Sequence, residues 1–326
     1  MMEWIGGFCM YKWIIQAVVF FFLVVISFNQ LSNPFESKRI ANFSHVQSTM
    51  KAKDPLYSEI KTKSPAYKIA PQNAVIDKVW KMVPGSNGKV VDIDKSYKKM
   101  KQDGVFEKDL LVFDEIKPTV SLNDLPPAPI YRGNQGKKMV SLLINVSWGT
   151  EYIPRILNIL KEHHVKATFF IEGKWAKNNP DYVKMIAEEG HLLGNHAYSH
   201  PDMARLSEQE IIKQIKNTND TLRAITGKKP TLFAPPSGSF TDQVVKVAAS
   251  CNMKTILWTL DTIDWKNPSV SVMINRVVPK IHPGATILMH PTEAIVRGLG
   301  DLILEIEKKG YKIGTVEKLL STERIN

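Results

Sequence analysis

From Met139 onward the chain alternates short apolar runs with amphipathic stretches. Apolar runs fall at 139–146 (MVSLLINV), 166–171 (KATFFI), 191–195 (HLLGN), 231–235 (TLFAP), 254–260 (KTILWTL), 285–290 (ATILMH) and 311–316 (YKIGTV). Between them, apolar residues recur at helical spacing over 152–163, 180–189, 207–226, 241–251, 270–281 and 293–309. The runs are continuous rather than alternating, which predicts strands covered on both faces and hence a parallel sheet in an α/β fold. Closed into a barrel, such a sheet carries its chemistry at the C-terminal ends of its strands.

Upstream the pattern changes. Residues 72–124 predict a small basic α+β module: "NAVIDKVWKMV" places Val75, Val79, Trp80 and Val83 on one helical face, "KVVDID" alternates as a strand, "KSYKKMKQDG" is a short basic helix closed by Gly104, and "DLLVFDEI" is another strand. Residues 29–71, polar and without period, predict a linker, and the Pro/Gly-rich stretch 125–138 predicts a boundary before a domain over 139–326. Residues 1–28 are apolar enough for a membrane segment: an uncleaved, single-pass anchor with the C-terminal domain outside, or a signal peptide cleaved to release the protein.

The formal charge is +11, of which residues 29–138 carry +7. That bias suits an anionic envelope polymer or lipid headgroups. No aromatic-and-arginine interleaving or zinc-finger spacing accompanies it, so no nucleic-acid partner is expected. The two cysteines, Cys9 and Cys251, do not form a disulfide framework.

Candidate chemistry collects at the predicted strand ends. His196 and His200 stand four residues apart in "GNHAYSHPDM"; in a helical turn both imidazoles project to one side, as two nitrogen ligands of a divalent metal do. Two loop histidines with unrelated roles are the plain alternative. Asp264 and Trp265 end "LDTIDW", and His290 ends "ILMH". A carboxylate and a histidine on neighbouring strand ends form an acid–orienter pair when they meet, although a lone histidine there is more often structural. "APPSGSF" adds a Pro-Pro-x-Gly turn at the same end.

These residues carry a resemblance. The region from about Met139 to Leu320 resembles the NodB-type polysaccharide deacetylases, a carbohydrate esterase family with a distorted (β/α)7 barrel. It matches the family's His-x-x-x-His motif with His196 and His200, its Asp-Trp motif with Asp264 and Trp265, and its Leu-x-His motif with Leu288 and His290; Phe169, Phe170 and Gly173 match its second strand. The arrangement looks like the membrane-anchored, spore-associated branch of bacilli. The resemblance implies a divalent metal (Zn, Co or Mn) at His196 and His200, His290 as the acid with Asp264 as its orienter, and a glycan groove at Trp265, Tyr198, Trp148 and Leu288. It also implies amide hydrolysis on an N-acetylated cell-wall polysaccharide or peptidoglycan.

The same alignment departs from the family where the base should be. Ser147 takes the position of the general base, Trp148 that of the third metal ligand, and Ala234 that of the arginine that orients the base. A serine hydroxyl does not accept a proton from water near neutrality, and base assistance is worth ~10²–10⁴ in rate. Metal binding is therefore expected to be weakened, with Glu172 and Glu151 the carboxylates placed to compensate. Two functions follow: a metal-dependent deacetylase, or a catalytically inactive glycan-binding or assembly protein on the same fold.

Overall fold

The computed structural model describes residues 15–22 and 54–325. The predicted membrane segment 1–28 lies mostly outside the described residues; its described part, 15–22, is helical, and among the described residues no helix is long and apolar enough to cross a membrane. The chain divides into two compact units, Met1–Tyr67 with Val91–Phe113, and Lys68–Val90 with Asp114–Asn326.

In the first unit, helix α1 (Pro55–Lys63) starts at Asp54, whose carboxylate accepts the Leu56 N–H (2.9 Å) and the Tyr97 hydroxyl (2.7 Å). It buries Leu56 and Ile60 against Tyr97 and Met100 of α2 (Ile93–Met100). The expected linker over 29–71 thus ends before residue 54. Apolar positions spaced four apart, at Leu56 and Ile60, are its visible cause.

The second unit begins with a correction. The predicted helix over 73–83 is a hairpin, β1 (Val75–Asp77) paired antiparallel with β2 (Lys81–Val83). Asp77 accepts the N–H groups of Val79 and Trp80, both at 2.7 Å, and this Asx turn captures a segment whose spacing fits either period. The chain then forms β3 (Gly88–Val91), which pairs with β4 (Phe113–Ile116). The 72–124 module is accordingly divided between the two units. The 125–138 stretch is not a free linker either. Ile130 is buried and bridges both Lys81 and Ile256, while Arg132 and Asn134 are buried through bonds to backbone carbonyls.

The predicted strands and helices then appear in order, joined by two short helices over 173–178 and 316–320 that the sequence pattern does not predict. They are β5 (Met139–Val146), α3 (Ile153–Glu162), β6 (Thr168–Ile171), α4 (Gly173–Asn178), α5 (Pro180–Glu188), β7 (Leu192–Asn195), α6 (Glu208–Thr226), β8 (Leu232–Phe233) and α7 (Asp242–Ser250). After them come β9 (Lys254–Thr255), β10 (Leu260–Asp261), α8 (Val270–Val277), β11 (Thr286–Met289), α9 (Glu293–Lys308), β12 (Lys312–Ile313) and α10 (Val316–Leu320). The sheet has eight strands, in the order β10-β11-β5-β6-β7-β8-β9 with β12 on β5, and the pairs are parallel.

The run expected as one strand over 254–260 is two strands at opposite ends of this path. The expected barrel is therefore a curled parallel sheet whose ladder does not close. Ile130 pairs with the chain just past β9 at one end of this path, its N–H donating to Thr255 O (2.9 Å) and its carbonyl accepting from the Leu257 N–H (2.8 Å).

All eight residues of β5 are buried. Its even-numbered side chains, Val140 to Val146, face the helices with Ile156, Leu160, Leu299 and Ile303. The opposite face turns inward, where Leu143 meets Phe170, Leu232, Ala234 and Ile256. This alternation decides which residues reach the mouth of the sheet.

Two outcomes follow. His191 is buried, and its Nδ1 accepts the Ala167 N–H (3.1 Å), which demands a neutral ring; burial pushes its pKa from 6.5 to about 4. As pH falls from 6.5 to 4 the unfolded chain takes up a proton that the folded ring refuses. Stability should therefore fall by up to ~3 kcal/mol over that window. Denaturant melts across pH should show this slope, reduced in His191→Gln. Gly149 has φ +74°, and a Cβ there would stand 2.0 Å from the Pro291 carbonyl oxygen. Gly149→Ala should cost ~2–4 kcal/mol in the same melts.

Candidate active site

The mouth is built by three backbone bonds that carry the parallel ladder one residue past the strands. Glu172 N–H donates to Val146 O (2.9 Å), His196 N–H to Ile171 O (3.0 Å) and Ala234 N–H to Asn195 O (2.9 Å). Since Val146 pairs Ile171, and Asn195 pairs both Ile171 and Phe233, the residues Ser147, Glu172, His196 and Ala234 stand side by side across four strands. Alternation from Leu143, Phe170, Leu192 and Leu232 turns all four inward.

His196 is buried. Its Nδ1 lies 2.8 Å from the Ala234 carbonyl, so that nitrogen carries the proton and Nε2 is left as an acceptor. Burial first, then neighbouring His200, brings its pKa down to about 3. The loop to His200 is not the helical turn expected, because Ala197 and His200 are left-handed (φ 60° and 55°). Side chains of the loop and of α6 hold it: Asn195 Oδ1 accepts the Ala197 N–H (2.8 Å), and Gln214 Oε1 accepts those of Tyr198 (2.7 Å) and Ser199 (3.0 Å). The rings of His196 and His200 nevertheless meet edge to face, with centroids 5.2 Å apart. His200 is exposed, and partial desolvation of its ring lowers its pKa, with His290 adding to it.

On the other side of β5, Met289 pairs Ile144, so His290 follows beside Asn145. Its Nδ1 lies 3.2 Å from Asp264 Oδ1, and its N–H donates to Oδ2, also at 3.2 Å. Asp264 is fully buried and accepts two further bonds, from Thr262 Oγ1 (2.7 Å) and Thr292 Oγ1 (2.9 Å). The carboxylate and the histidine expected on neighbouring strand ends do meet, and Thr262 and Thr292 are partners that the sequence did not reveal. Thr292 leaves a trace there as the N-cap of α9, accepting the Ile295 N–H. Asp264 sits just after Ile263, a β-branched residue at φ 51°, so the turn that aims it is strained.

Trp148 is half exposed (47%), and its ring lies nearly parallel to that of His290, at 10° and 6.1 Å. Trp265 is exposed (54%), with the Lys266 ammonium 5.0 Å from its ring. Two of the expected groove residues are not on the exposed rim. Leu288 is buried in the inward face, beneath the mouth. Tyr198 packs against Gly173 at the start of α4 and lines a cavity with Asn217, Thr221 and Ala224 of α6, because the left-handed Ala197 turns it outward. Ala234 is fully buried, and its carbonyl rather than its side chain serves the site.

Of the two compensating carboxylates, Glu151 is exposed in the turn 150–152. Glu172 is buried at 8% exposure, one strand from Ser147; burial raises its pKa, and the Ser147 hydroxyl and the Lys174 ammonium work against that rise. A catalytic zinc takes three protein ligands. Among the described residues no group of three His, Cys, Asp or Glu side chains is placed to hold a metal. The donor set of His196 and His200 therefore does not fit such a centre.

Residues 132–256 match the model of the polysaccharide deacetylase family. The uncharacterized protein YlxY of Bacillus subtilis is 49% identical over 97% of this chain and 99% of its own. A peptidoglycan-N-acetylglucosamine deacetylase of Bacillus cereus is 36% identical over 60% of this chain and 72% of its own. Among solved structures, BA3943 of Bacillus anthracis, described as a CE4 family pseudoenzyme, is 52% identical with a TM-score of 0.80, covering 84% of this chain and 97% of that one. A mutant of it, described as having restored enzymatic activity, matches at 51% identity and a TM-score of 0.79 over 83% of this chain and 99% of that one. With the curled parallel sheet and the histidine and aspartate frame at its mouth, these likenesses place the chain in the polysaccharide deacetylase family.

Proposed function

We propose that this member of the family does not hydrolyse acetamides by the family's metal-and-base route and instead binds a cell-wall amino-sugar polymer at the retained mouth. The observation that carries this reading is the row Ser147–Glu172–His196–Ala234: a hydroxyl stands at the base position and an alanine at the place of its orienter. Trp148 lies over His290 where the alignment places a ligand. The description of the Bacillus anthracis relative as a pseudoenzyme supports it. Exposed Trp148 and Trp265 offer faces on which sugar rings stack.

A metal in this family supplies a Lewis acid and an activated water, and only two imidazoles here face that task. His290 can still hold a proton toward a leaving group, with Asp264 fixing its Nδ1, but an acid without base or metal does not open the amide. A second reading gives the base role to Glu172, whose raised pKa suits proton abstraction. It stands one strand away from Ser147, ~4.8 Å across the sheet, whereas catalytic geometry tolerates ~0.5 Å. We also propose an extracytoplasmic location, spore-associated or vegetative, with residues 1–28 as anchor or signal. The partner polymer lies there, and fractionation into membrane, medium and cytosol tests it.

The expected result is that the purified protein holds well under one zinc per chain and releases no acetate from N-acetylglucosamine oligomers in excess Zn²⁺, Co²⁺ or Mn²⁺. Acetate release by the wild type, abolished in Glu172→Gln, would establish the second reading instead. The double variant Ser147→Asp/Trp148→Asp restores a base and a third ligand and should gain both stoichiometric zinc and measurable acetate release. A folded, zinc-loaded double variant without activity would show that more than these two groups is missing.

A further inference from the structure

The hairpin β1–β2 leaves its outer strand uncovered. Its register pairs Val75 with Val83 and Ile76 with Met82, so these two pairs lie on opposite faces. On β2 both Met82 and Val83 are buried, whereas on β1 Val75 (49%) and Ile76 (45%) are exposed, one on each face. Val79 in the turn is more exposed still (69%), and Trp80 beside it is partly buried. A single exposed aliphatic side chain is ordinary, but a cluster on both faces of one tight hairpin marks a surface of contact.

The root of the hairpin is held firmly. The Arg132 guanidinium lies over the Trp80 ring, 5.5 Å from its centre, and donates to the Pro283 carbonyl (2.6 Å), while the His282 ring stands 6.2 Å from that of Trp80. Residues 282–284 lead into the start of β11, so the hairpin hangs from the strand-start end of the sheet, opposite the mouth. Around the tip the charges are positive: Lys78 and Lys81 are exposed on the two sides of Val79 and Trp80, and Lys280 is exposed two residues before His282. Lys81 also donates to the Lys78 carbonyl (3.3 Å). The acid of the turn, Asp77, is occupied by the N–H groups of Val79 and Trp80.

We propose that this hairpin seats in the headgroup layer of an anionic lipid bilayer, with Val75, Ile76 and Val79 entering the apolar boundary and Lys78, Lys81 and Lys280 meeting lipid phosphates. The proposal goes beyond the glycan reading and does not rest on it. Aliphatic side chains on both faces of a strand suit a medium that surrounds the tip, and a tryptophan at its base suits the interface. An added β-strand from a protein partner needs a row of free backbone groups, and β1 is only three residues long. An anionic sugar polymer would engage the lysines and leave the aliphatic cluster in water. Lipid satisfies both, since each lysine near an anionic surface adds to the apolar insertion. Seated in this way, the mouth opens away from the bilayer.

The test attaches an environment-sensitive fluorophore to Val79→Cys in the full chain carrying Cys9→Ser; the remaining Cys251 is buried. A control chain carries the dye at Gln243→Cys, exposed at the start of α7 on the mouth end. Each is mixed with vesicles of phosphatidylcholine alone or with phosphatidylglycerol added. The dye at 79 should shift to the blue and be quenched by a lipid-borne quencher, with an inserted-to-free ratio at least about tenfold higher on the anionic vesicles, and the dye at 243 should stay in water. Lys78→Gln/Lys81→Gln should lower the ratio at least about tenfold, and the comparison of lipids stands alone if that variant does not fold. Because position 79 is read directly, attachment through residues 1–28 does not produce the signal. A vesicle-bound chain whose dye at 79 remains in water overturns the proposal, as do insertion of both dyes, equal insertion into the two kinds of vesicle, and no binding to either. Self-association that Val79→Ser abolishes, without insertion, gives this face to a second copy of the chain and overturns it too.

Discussion

The last rung of the parallel ladder is the constraint on which the mouth depends. Three backbone bonds beyond the strands, from Glu172, His196 and Ala234, fix Ser147 and its neighbours in one row. Parallel pairing sets this row without any help from the side chains that occupy it. A shift of one residue in any of these strands would turn the corresponding side chain outward, toward the helices. The fully buried β5 and the apolar layer of Leu142, Ile144, Phe169 and Leu299 prevent such a shift, since it would expose or overpack the core. The site chemistry can therefore vary at the row while the geometry stays.

Electrostatics divides the mouth into two halves. On one side, Asp264 is fully buried and satisfied by Thr262, Thr292 and both nitrogen donors of His290. On the other, burial holds His196 neutral, partial desolvation lowers the pKa of the exposed His200, and burial pushes the Glu172 carboxyl toward its protonated form. A neutral imidazole pair is what a metal or a hydrogen-bond donor requires, and the same desolvation sharpens any charge brought in by a ligand.

Much of this was legible in the sequence, for identifiable reasons. Strands buried on both faces read as continuous apolar runs, so β5, β6 and β11 could be placed almost residue by residue, and the residues after them followed as site candidates. The hairpin 75–83 could not, because its apolar positions satisfy helical and turn-linked spacing alike, and the Asp77 turn decides between them. The split of 254–260 was hidden as well: Ile130, distant in sequence, bridges Ile256 just past β9, a pairing that no local pattern shows. Tyr198 and Leu288 were assigned to the groove by resemblance to the family. Backbone handedness at Ala197 turns Tyr198 toward α6, and the inward alternation of β11 puts Leu288 beneath the mouth.

The two halves of the mouth also differ in what folding demands of them. Removing a partner of Asp264 leaves a buried carboxylate short of a hydrogen bond, and breaking such a buried pair costs ~3–5 kcal/mol, comparable to a large share of a domain's stability. Ser147 and Trp148 answer to no such demand. Trp148 is half exposed at the rim, and Ser147 is only partly buried. A change at the base side thus alters chemistry at little structural cost, whereas a change at the acid side unsettles the strand ends themselves. Retention of His290 and Asp264 is therefore weak testimony for catalysis, and the identity of residues 147 and 148 is the stronger witness to what the site does.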